Sequence, residues 1–196
     1  MQEDNLWKTW LQLKIGGDKD MEVHFQFNGK EYADSIVRDY LTSKKFKKNL
    51  IIQFIVYVAL VLLLAVRIRY RSIRYAFYLA GFIGLFFIKK LNVKDFRNDI
   101  LKSYSLKNDD VRVVHIKLEE NFLTIGEINE ERKYSYSAIK EAYVIGEYLY
   151  IRFVKDNLAF VHSRAFRDAE STKAFVNELE SKTNLKVYRK ANEKVI

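Results

Sequence analysis

The sequence predicts an α+β membrane protein, in which a two-helix transmembrane hairpin is joined to a small antiparallel β-sheet domain closed by a C-terminal helix. Two stretches, Leu50–Val66 and Tyr75–Ile88, contain no charged residue and lie only eight residues apart. Apolar and polar side chains alternate repeatedly over residues 110–165, which is the period of a β-strand. After Asp168, a residue type that often begins helices, apolar side chains recur at helical spacing.

The two uncharged stretches are the candidate membrane helices. They are seventeen and fourteen residues long, whereas a hydrocarbon layer of about 30 Å needs roughly 20 apolar residues. Local thinning of the bilayer, and flanking Lys or Arg side chains that reach the headgroups, can cover this difference. A pair of buried helices in a soluble protein is the alternative. Only Gln53 and Tyr57 form a polar stripe in the first stretch, and this favours the membrane.

Positive charge is concentrated next to these stretches. The chain has a formal net charge of +9; residues 33–104 carry fourteen basic and four acidic side chains, and residues 105–184 carry twelve and fourteen. A nucleic-acid-binding protein would concentrate basic residues on its folded domain, so we expect a lipid bilayer and no nucleic acid as partner. A basic residue near the membrane gains about 1 kcal/mol from anionic lipids. The candidate contacts for anionic headgroups are Lys44, Lys45, Lys47, Lys48, Arg67, Arg69, Arg71, Arg74, Lys89 and Lys90.

The same residues predict the topology. Two spans place both ends of the chain on one side, and basic residues are enriched on the cytoplasmic side. Eleven basic residues flank the outer ends of the two stretches and four lie in the loop between them. The predicted location is therefore the cell membrane, multi-pass, with both termini in the cytoplasm and Arg67–Arg74 outside.

The N-terminal part predicts a β-hairpin followed by a helix. The first twenty residues do not have the pattern of a signal peptide, because acidic residues come first and no apolar region follows. Alternation and a glycine-containing turn predict strands at about Trp7–Ile15 and Glu22–Phe27. Trp7 and Trp10 either pack on this hairpin or lie at the membrane interface. After Gly29, helical spacing predicts a helix that continues directly into the first span.

The C-terminal part predicts a second juxtamembrane helix, an antiparallel meander and a final helix. Strands are predicted over 111–118, 122–128, 132–136, 139–145, 148–155 and 158–162, with short turns between them. The final helix should end near Lys182–Asn184, and we expect a frayed tail after it. The predicted segments are a β-hairpin (1–32), a juxtamembrane helix (33–49), transmembrane helix 1 (50–66), a basic loop (67–74), transmembrane helix 2 (75–88), a juxtamembrane helix (89–105), a sheet domain (106–184) and a basic tail (185–196).

Three stretches of the sheet domain carry a resemblance to a known family: HIKLEENFLTI, YSYSAIKEAYVIGEYLYIRF and AFVHSRAFRDAESTKAFVNEL. Residues 109–180 resemble the C-terminal, pleckstrin-homology-like domain of the YcxB-like family of bacterial membrane proteins. The upstream FQFNGKEYADSIVRDYL and the two apolar stretches match that family's arrangement. The chain departs from the family in having Tyr136 in place of a Trp, and Val161-His162 in place of Ile-Pro. The resemblance implies this architecture and names no reaction.

No residue pattern predicts a reaction. His24, His115 and His162 fall in three different strand patterns without metal-ligand spacing, and the chain has no cysteine. No phosphate-binding loop, dinucleotide fingerprint or nucleophile elbow is present in the sequence. We therefore expect no enzyme, cofactor or metal, and interpret the protein as a membrane-anchored interaction module for a membrane or cytoplasmic protein partner. The alternatives are an anionic-lipid sensor, an immunity or stress factor, and a soluble protein with a buried helical hairpin.

Overall fold

The computed structural model describes residues 21–127, 130–155 and 157–190, without the side chain at position 86. The protein is an α+β protein with antiparallel sheets. Its described residues form two compact units. The β unit contains residues 21–35 and 107–190, and the helical unit contains residues 36–106. The first predicted strand, Trp7–Ile15, lies outside the described residues.

The β unit contains two four-stranded sheets. The first has the order β1-β2-β3-β4, and all its pairs are antiparallel. The second has the order β7-β6-β5-β8, in which β5 and β8 are parallel. The strands are β1 (Met21–Asn28), β2 (Val111–Leu118), β3 (Phe122–Glu127), β4 (Glu130–Ser135), β5 (Ile139–Ile145), β6 (Tyr148–Phe153), β7 (Leu158–His162) and β8 (Tyr188–Arg189).

The two sheets share one core. Every second residue of β1, from Val23 to Phe27, is buried, as expected for a strand with one covered face. The rings of Phe25 and Phe27 lie 6.2 and 5.7 Å from the ring of Phe160 on β7, so the two inner faces meet. Tyr143 and Tyr150 of the second sheet are fully buried and stacked on each other.

Four α-helices are described: α1 (Gly29–Thr42), α2 (Lys44–Val66), α3 (Arg71–Ser103) and α4 (Ala169–Thr183). The prediction that Asp168 begins the last helix is confirmed. Its side chain accepts a hydrogen bond from the Ser171 amide at 2.7 Å and so caps α4. The helix ends at Asn184, whose φ of 56° gives a left-handed cap. Phe175 and Leu179, one turn apart, are fully buried in the core of the β unit.

Three predictions about the helices and strands were wrong in detail. The helix leading into the first apolar stretch is broken at Ser43, whose hydroxyl accepts from the Phe46 amide at 3.1 Å and starts α2. The second apolar stretch and the following juxtamembrane segment form the one helix α3, because no Pro or Gly separates them at Lys89-Lys90. The single meander is instead two sheets, since a 3-10 turn at Tyr136–Ala138 separates β4 from β5.

The described part of the tail after α4, up to residue 190, is also more ordered than predicted. Residues Tyr188 and Arg189 pair with β5 in parallel. The hydroxyl of Tyr188 donates to the carboxylate of Glu141. The ammonium of Lys190 lies 3.1 Å from the centre of the Tyr143 ring. Aromatic and cation–π contacts hold a segment whose charge alone suggested fraying.

Helix α1 begins at a network that links β1 to the end of β7. The Asn28 side chain accepts from the Glu31 amide at 2.8 Å, and the Glu31 carboxylate accepts from the Asn28 amide at 3.2 Å, which is a capping box. The same carboxylate accepts two hydrogen bonds from Arg164, at 2.8 and 2.7 Å. Arg164 also donates to the carbonyl of Gln26 at 2.8 Å. These hydrogen bonds from Arg164 hold the pKa of Glu31 below its usual range.

We predict that the Glu31–Arg164 pair makes stability depend on pH in acid. A carboxylate with a lowered folded pKa stabilises the protein above its unfolded pKa of about 4.3 and loses that contribution as the pH falls further. Because both side chains are partly exposed, Glu31→Gln should cost only about 1 kcal/mol near pH 7. Thermal unfolding of the full chain in mild detergent should show a constant gap between wild type and variant from pH 7 to 5.

That gap should close as the pH is lowered from about 4.3 through the lower pKa of folded Glu31, because the unfolded chain takes up its proton first and the folded carboxyl only afterwards. Glu120→Gln, at an exposed glutamate, is the matched control and should match the wild type throughout. A gap that widens in acid, or an equal effect of both variants, would contradict the assignment.

Candidate functional site

The helical unit exposes a large apolar surface on α2 and α3. The exposed large side chains of these two helices include Ile51, Ile55, Val56, Leu60, Leu63, Val66, Ile73, Tyr75, Leu79, Phe82, Phe87 and Leu91. Of these, Val66 is 74% and Leu63 is 69% exposed. Contiguous apolar patches larger than a few hundred Å² are rare on soluble monomers and indicate a membrane, partner or ligand surface.

Only part of this surface meets the criteria for a membrane span. Among the described residues, α2 is the one helix that is long and apolar enough by itself. Its 23 residues correspond to about 34 Å at 1.5 Å rise. Helix α3 bends by 43° between Arg71–Leu85 and Phe87–Ser103, and qualifies when both parts are taken as one span.

Helices α2 and α3 pack side by side and run antiparallel. Three contacts show the antiparallel arrangement, because rising positions on α2 meet falling positions on α3. The Asn92 amide donates to the Gln53 side chain at 2.6 Å, Gly84 lies against the Tyr57 hydroxyl, and Gly81 lies against Val61. A Cβ at position 81 would lie 2.8 Å from a methyl group of Val61. Small residues at these two positions therefore allow the close approach that is typical of packed helices in membranes.

Most of the predicted headgroup contacts form two groups at opposite ends of this helix pair. The lysines of α2 lie at the end where that helix starts, and the arginines lie in and beside the short α2–α3 connection; Lys89 and Lys90 lie near the middle of α3. Eight of the ten side chains are exposed, and Arg74 and Lys89 are half-buried. Arg74 donates to the Ile68 carbonyl at 2.6 and 3.2 Å and so closes the connection.

The four lysines at the start of α2 and the pair Lys89-Lys90 of α3 lie at different positions along the axis of the helix pair. Lys89 lies one turn before Asn92, which contacts Gln53. Gln53 follows Lys48 by five residues, or about 8 Å along α2. Lys89 and Lys90 are therefore nearer to the middle of the helix pair than the lysines of α2. They share that level with a polar hydrogen bond between the helices.

Aromatic contacts fix the lysine-rich end of the helical unit. The ring of Tyr40, on α1, stacks on Phe96 of α3 at 4.1 Å and contacts Phe46 of α2 at 5.1 Å. Phe46 and Val93 are buried beside this contact. These contacts pack α1, α2 and α3 together beside the lysines of α2.

The structure also brings together residues that sequence reasoning did not combine. Glu22 and His24 on β1 lie beside His115 on β2. His162 is elsewhere, on β7, with its Nε2 atom 3.4 Å from Glu147. The Glu-x-His pattern of one predicted strand and the histidine of another were visible in the sequence. Their proximity depends on which strands pair, and that was not visible.

Comparisons with known proteins add no family assignment. No family model matches the chain, and no curated protein matches it significantly. The resemblance to the YcxB-like family therefore stays a prediction from the stretches quoted above.

We predict that cysteines at positions 61 and 81 form a disulfide. A Cβ at position 81 would be 3.6 Å from the Cβ of Val61, close to the mean of about 3.8 Å in disulfides. The chain has no native cysteine. Mild oxidation of Val61→Cys/Gly81→Cys in detergent should convert most of the protein to a faster-migrating monomer that reductant reverses.

The control pair is Val61→Cys/Ala80→Cys. Ala80 is exposed and lies about 100° around α3 from position 81. This pair should remain mostly uncross-linked under the same conditions. Equal cross-linking of the two pairs, or cross-linking of neither, would show that α2 and α3 do not pack in this register.

Proposed function

We propose that the protein is a multi-pass cell-membrane protein of the YcxB-like type. In this proposal α2 and α3 cross the bilayer as a hairpin, and the β unit is a non-enzymatic interaction module at the cytoplasmic surface. The observation that supports it best is the exposed apolar surface of α2 and α3, with lysines at one end and arginines at the other.

The exposure of these side chains favours a bilayer over the buried hairpin of a soluble protein. Burial of apolar surface is worth about 25 cal/mol per Å², so exposed Leu, Ile, Val and Phe side chains along two helices would be unfavourable in water. In the hydrocarbon layer the backbone groups of a helix remain internally hydrogen-bonded, which allows such helices to cross.

The length of the apolar segments indicates a thin or locally thinned bilayer. Residues 50–66 span about 25 Å and residues 75–88 about 21 Å, against a typical hydrocarbon thickness of about 30 Å. Lys89 and Lys90 then lie near the boundary, where their long side chains extend to the headgroups. The Gln53–Asn92 hydrogen bond pairs two polar groups at the same depth.

The architecture of the β unit supports a pleckstrin-homology-like domain. Two antiparallel sheets share one core, and α4 contributes Phe175 and Leu179 to it. A core shared by antiparallel strands and a C-terminal helix is part of what the YcxB-like resemblance implies, and this supports the proposal. A compact module of this kind, with nearly balanced charge, fits a protein-binding role better than a general attraction to acidic polymers.

We predict that the α2–α3 connection is outside the cell and the lysine-rich end inside. Ser72 and Ser103 are both exposed and lie at opposite ends of α3. In intact cells, a membrane-impermeant thiol reagent should label Ser72→Cys strongly and Ser103→Cys only after permeabilisation. The native chain contributes no background because it lacks cysteine.

The reverse labelling pattern would invert the topology. Labelling of both positions in intact cells would place both ends of α3 on the same side, as in a re-entrant hairpin. Recovery of the protein in the soluble fraction after lysis without detergent would contradict the membrane proposal itself.

A contribution from anionic lipid is the second function that an observation favours, since the four lysines of α2 are all exposed. In nanodiscs, phosphatidylglycerol should raise the melting temperature of the wild type relative to a zwitterionic lipid. Exchange of Lys44, Lys45, Lys47 and Lys48 for Gln should remove most of that increase, because each lysine contributes about 1 kcal/mol near an anionic surface.

The control variant carries the same change in charge on the β unit, at the exposed lysines Lys140, Lys155, Lys173 and Lys186. It should keep the increase seen for the wild type. High salt should weaken the effect, since interactions between exposed charges are screened. An equal loss in both variants would indicate a response to net charge and not to these lysines.

A further inference from the structure

A row of residues crosses the first sheet of the β unit on the face opposite the core. The register aligns His24 of β1 with His115 of β2, His115 with Gly126 of β3, and Gly126 with Glu131 of β4. Directly paired residues lie on the same face of a sheet. Glu22 is two positions before His24 and lies on that face as well. Two imidazoles and two carboxylates are thus arranged side by side.

The ligand atoms of three of these side chains converge. One donor atom each from Glu22, His24 and His115 lie within 4.8 Å of one another. The Nε2 atom of His24 is 3.0 Å from Oε1 of Glu22, and the two imidazole ring centres are 5.6 Å apart. On the other side, Nε2 of His115 is 3.2 Å from Oε1 of Glu131.

The glycine at position 126 lets His115 occupy its place in the row. A Cβ at this position would collide with Cε1 of His115 and would lie 2.7 Å from its Nε2 atom. It would also lie 2.9 Å from Cγ of Glu131. The imidazole of His115 therefore covers Gly126 of β3 and reaches toward Glu131 of β4. The His115 side chain is only 17% exposed, so its position is well defined by its surroundings.

We propose that Glu22, His24 and His115 form a binding site for a divalent transition-metal ion of the Zn²⁺ class. Imidazole nitrogens are preferred by Zn²⁺, Cu²⁺ and Ni²⁺, whereas Mg²⁺ and Ca²⁺ prefer oxygen ligands. Two histidines and one glutamate are an established Zn²⁺ ligand set that leaves a fourth position for water. Glu131 orients His115 from outside this set, as carboxylates commonly do for ligating histidines.

The three ligand atoms would have to move slightly closer together to bind a metal ion. Ligand atoms around a tetrahedral Zn²⁺ are roughly 3.3 Å apart, given bonds of about 2.0–2.1 Å. Glu22 and His24 are about one-third exposed, so their side chains have room to rotate toward His115. Lys117, opposite Glu22 on β2, has its ammonium 3.6 Å from the Glu119 carboxylate.

A bound ion would act on the fold as a cross-link. Strand β1 precedes the helical unit in the sequence and β2 follows it. An ion held by Glu22 and His24 from one strand and His115 from the other would fasten the two strands together. A ligand that binds only the folded protein raises its stability by mass action. The site therefore predicts that Zn²⁺ stabilises the β unit, independently of any role of the helices in a membrane.

The test is metal binding by the full chain, purified in mild detergent without a polyhistidine tag. Titration calorimetry with ZnCl₂ should give one saturable site per chain, and saturating Zn²⁺ should raise the melting temperature. His24→Gln, His115→Gln and Glu22→Gln should each lower the affinity at least tenfold and remove the thermal shift. Co²⁺ should give a visible d–d absorption spectrum in the wild type that His24→Gln abolishes.

His162→Gln is the matched control. It removes the third histidine, which also faces one glutamate but has no second imidazole beside it. It should bind Zn²⁺ as the wild type does. If His115→Gln lowers stability without metal, as circular dichroism would show, Glu22→Gln and His24→Gln carry the test. The proposal is overturned if the wild type does not bind Zn²⁺ saturably, or if binding survives in His24→Gln and Glu22→Gln.

Discussion

The exposed apolar surface of α2 and α3 is the physical constraint on which the structure and the proposed function depend. Transfer of such side chains out of water is favourable in proportion to their area, and the described part of the helical unit does not cover them. The helices still pack against each other, through Gly81, Gly84 and the Gln53–Asn92 hydrogen bond. A pair that joins Gln53 to Asn92 between its helices and exposes apolar side chains suits a hydrocarbon environment.

The β unit, in contrast, buries its apolar side chains inside the protein. Its stability comes from a hydrophobic core shared by two sheets and α4. Two of its polar links lie at the ends of helices or strands. Arg164 joins the end of β7 to the start of α1 through Glu31, and Tyr188 and Lys190 join the tail to β5. Each link connects segments that are distant in the sequence and so closes the unit.

The outer face of the first sheet has chemistry that the core does not require. A sheet face in water is satisfied by almost any polar side chains, yet this one aligns two imidazoles with two carboxylates and provides a glycine where a side chain would interfere. His162 provides an internal comparison, because a single His–Glu contact is an ordinary surface feature. The convergence of three ligand atoms is what distinguishes the cluster of Glu22, His24 and His115.

The sequence by itself determined the α+β class, most strand positions, the apolar stretches and the start of α4. These features depend on local periodicity and on capping residues such as Asp168, which act over a few neighbouring positions. It also determined which lysines and arginines flank the apolar stretches. Only the tertiary structure decided the division into two sheets, the pairing of β1 with β2 and the ordered tail at Tyr188. Strand pairing depends on contacts between residues far apart in the chain, and alternation gives a strand's faces without naming its partner. The histidine cluster follows from that pairing, and for this reason the metal site was absent from the sequence-based prediction.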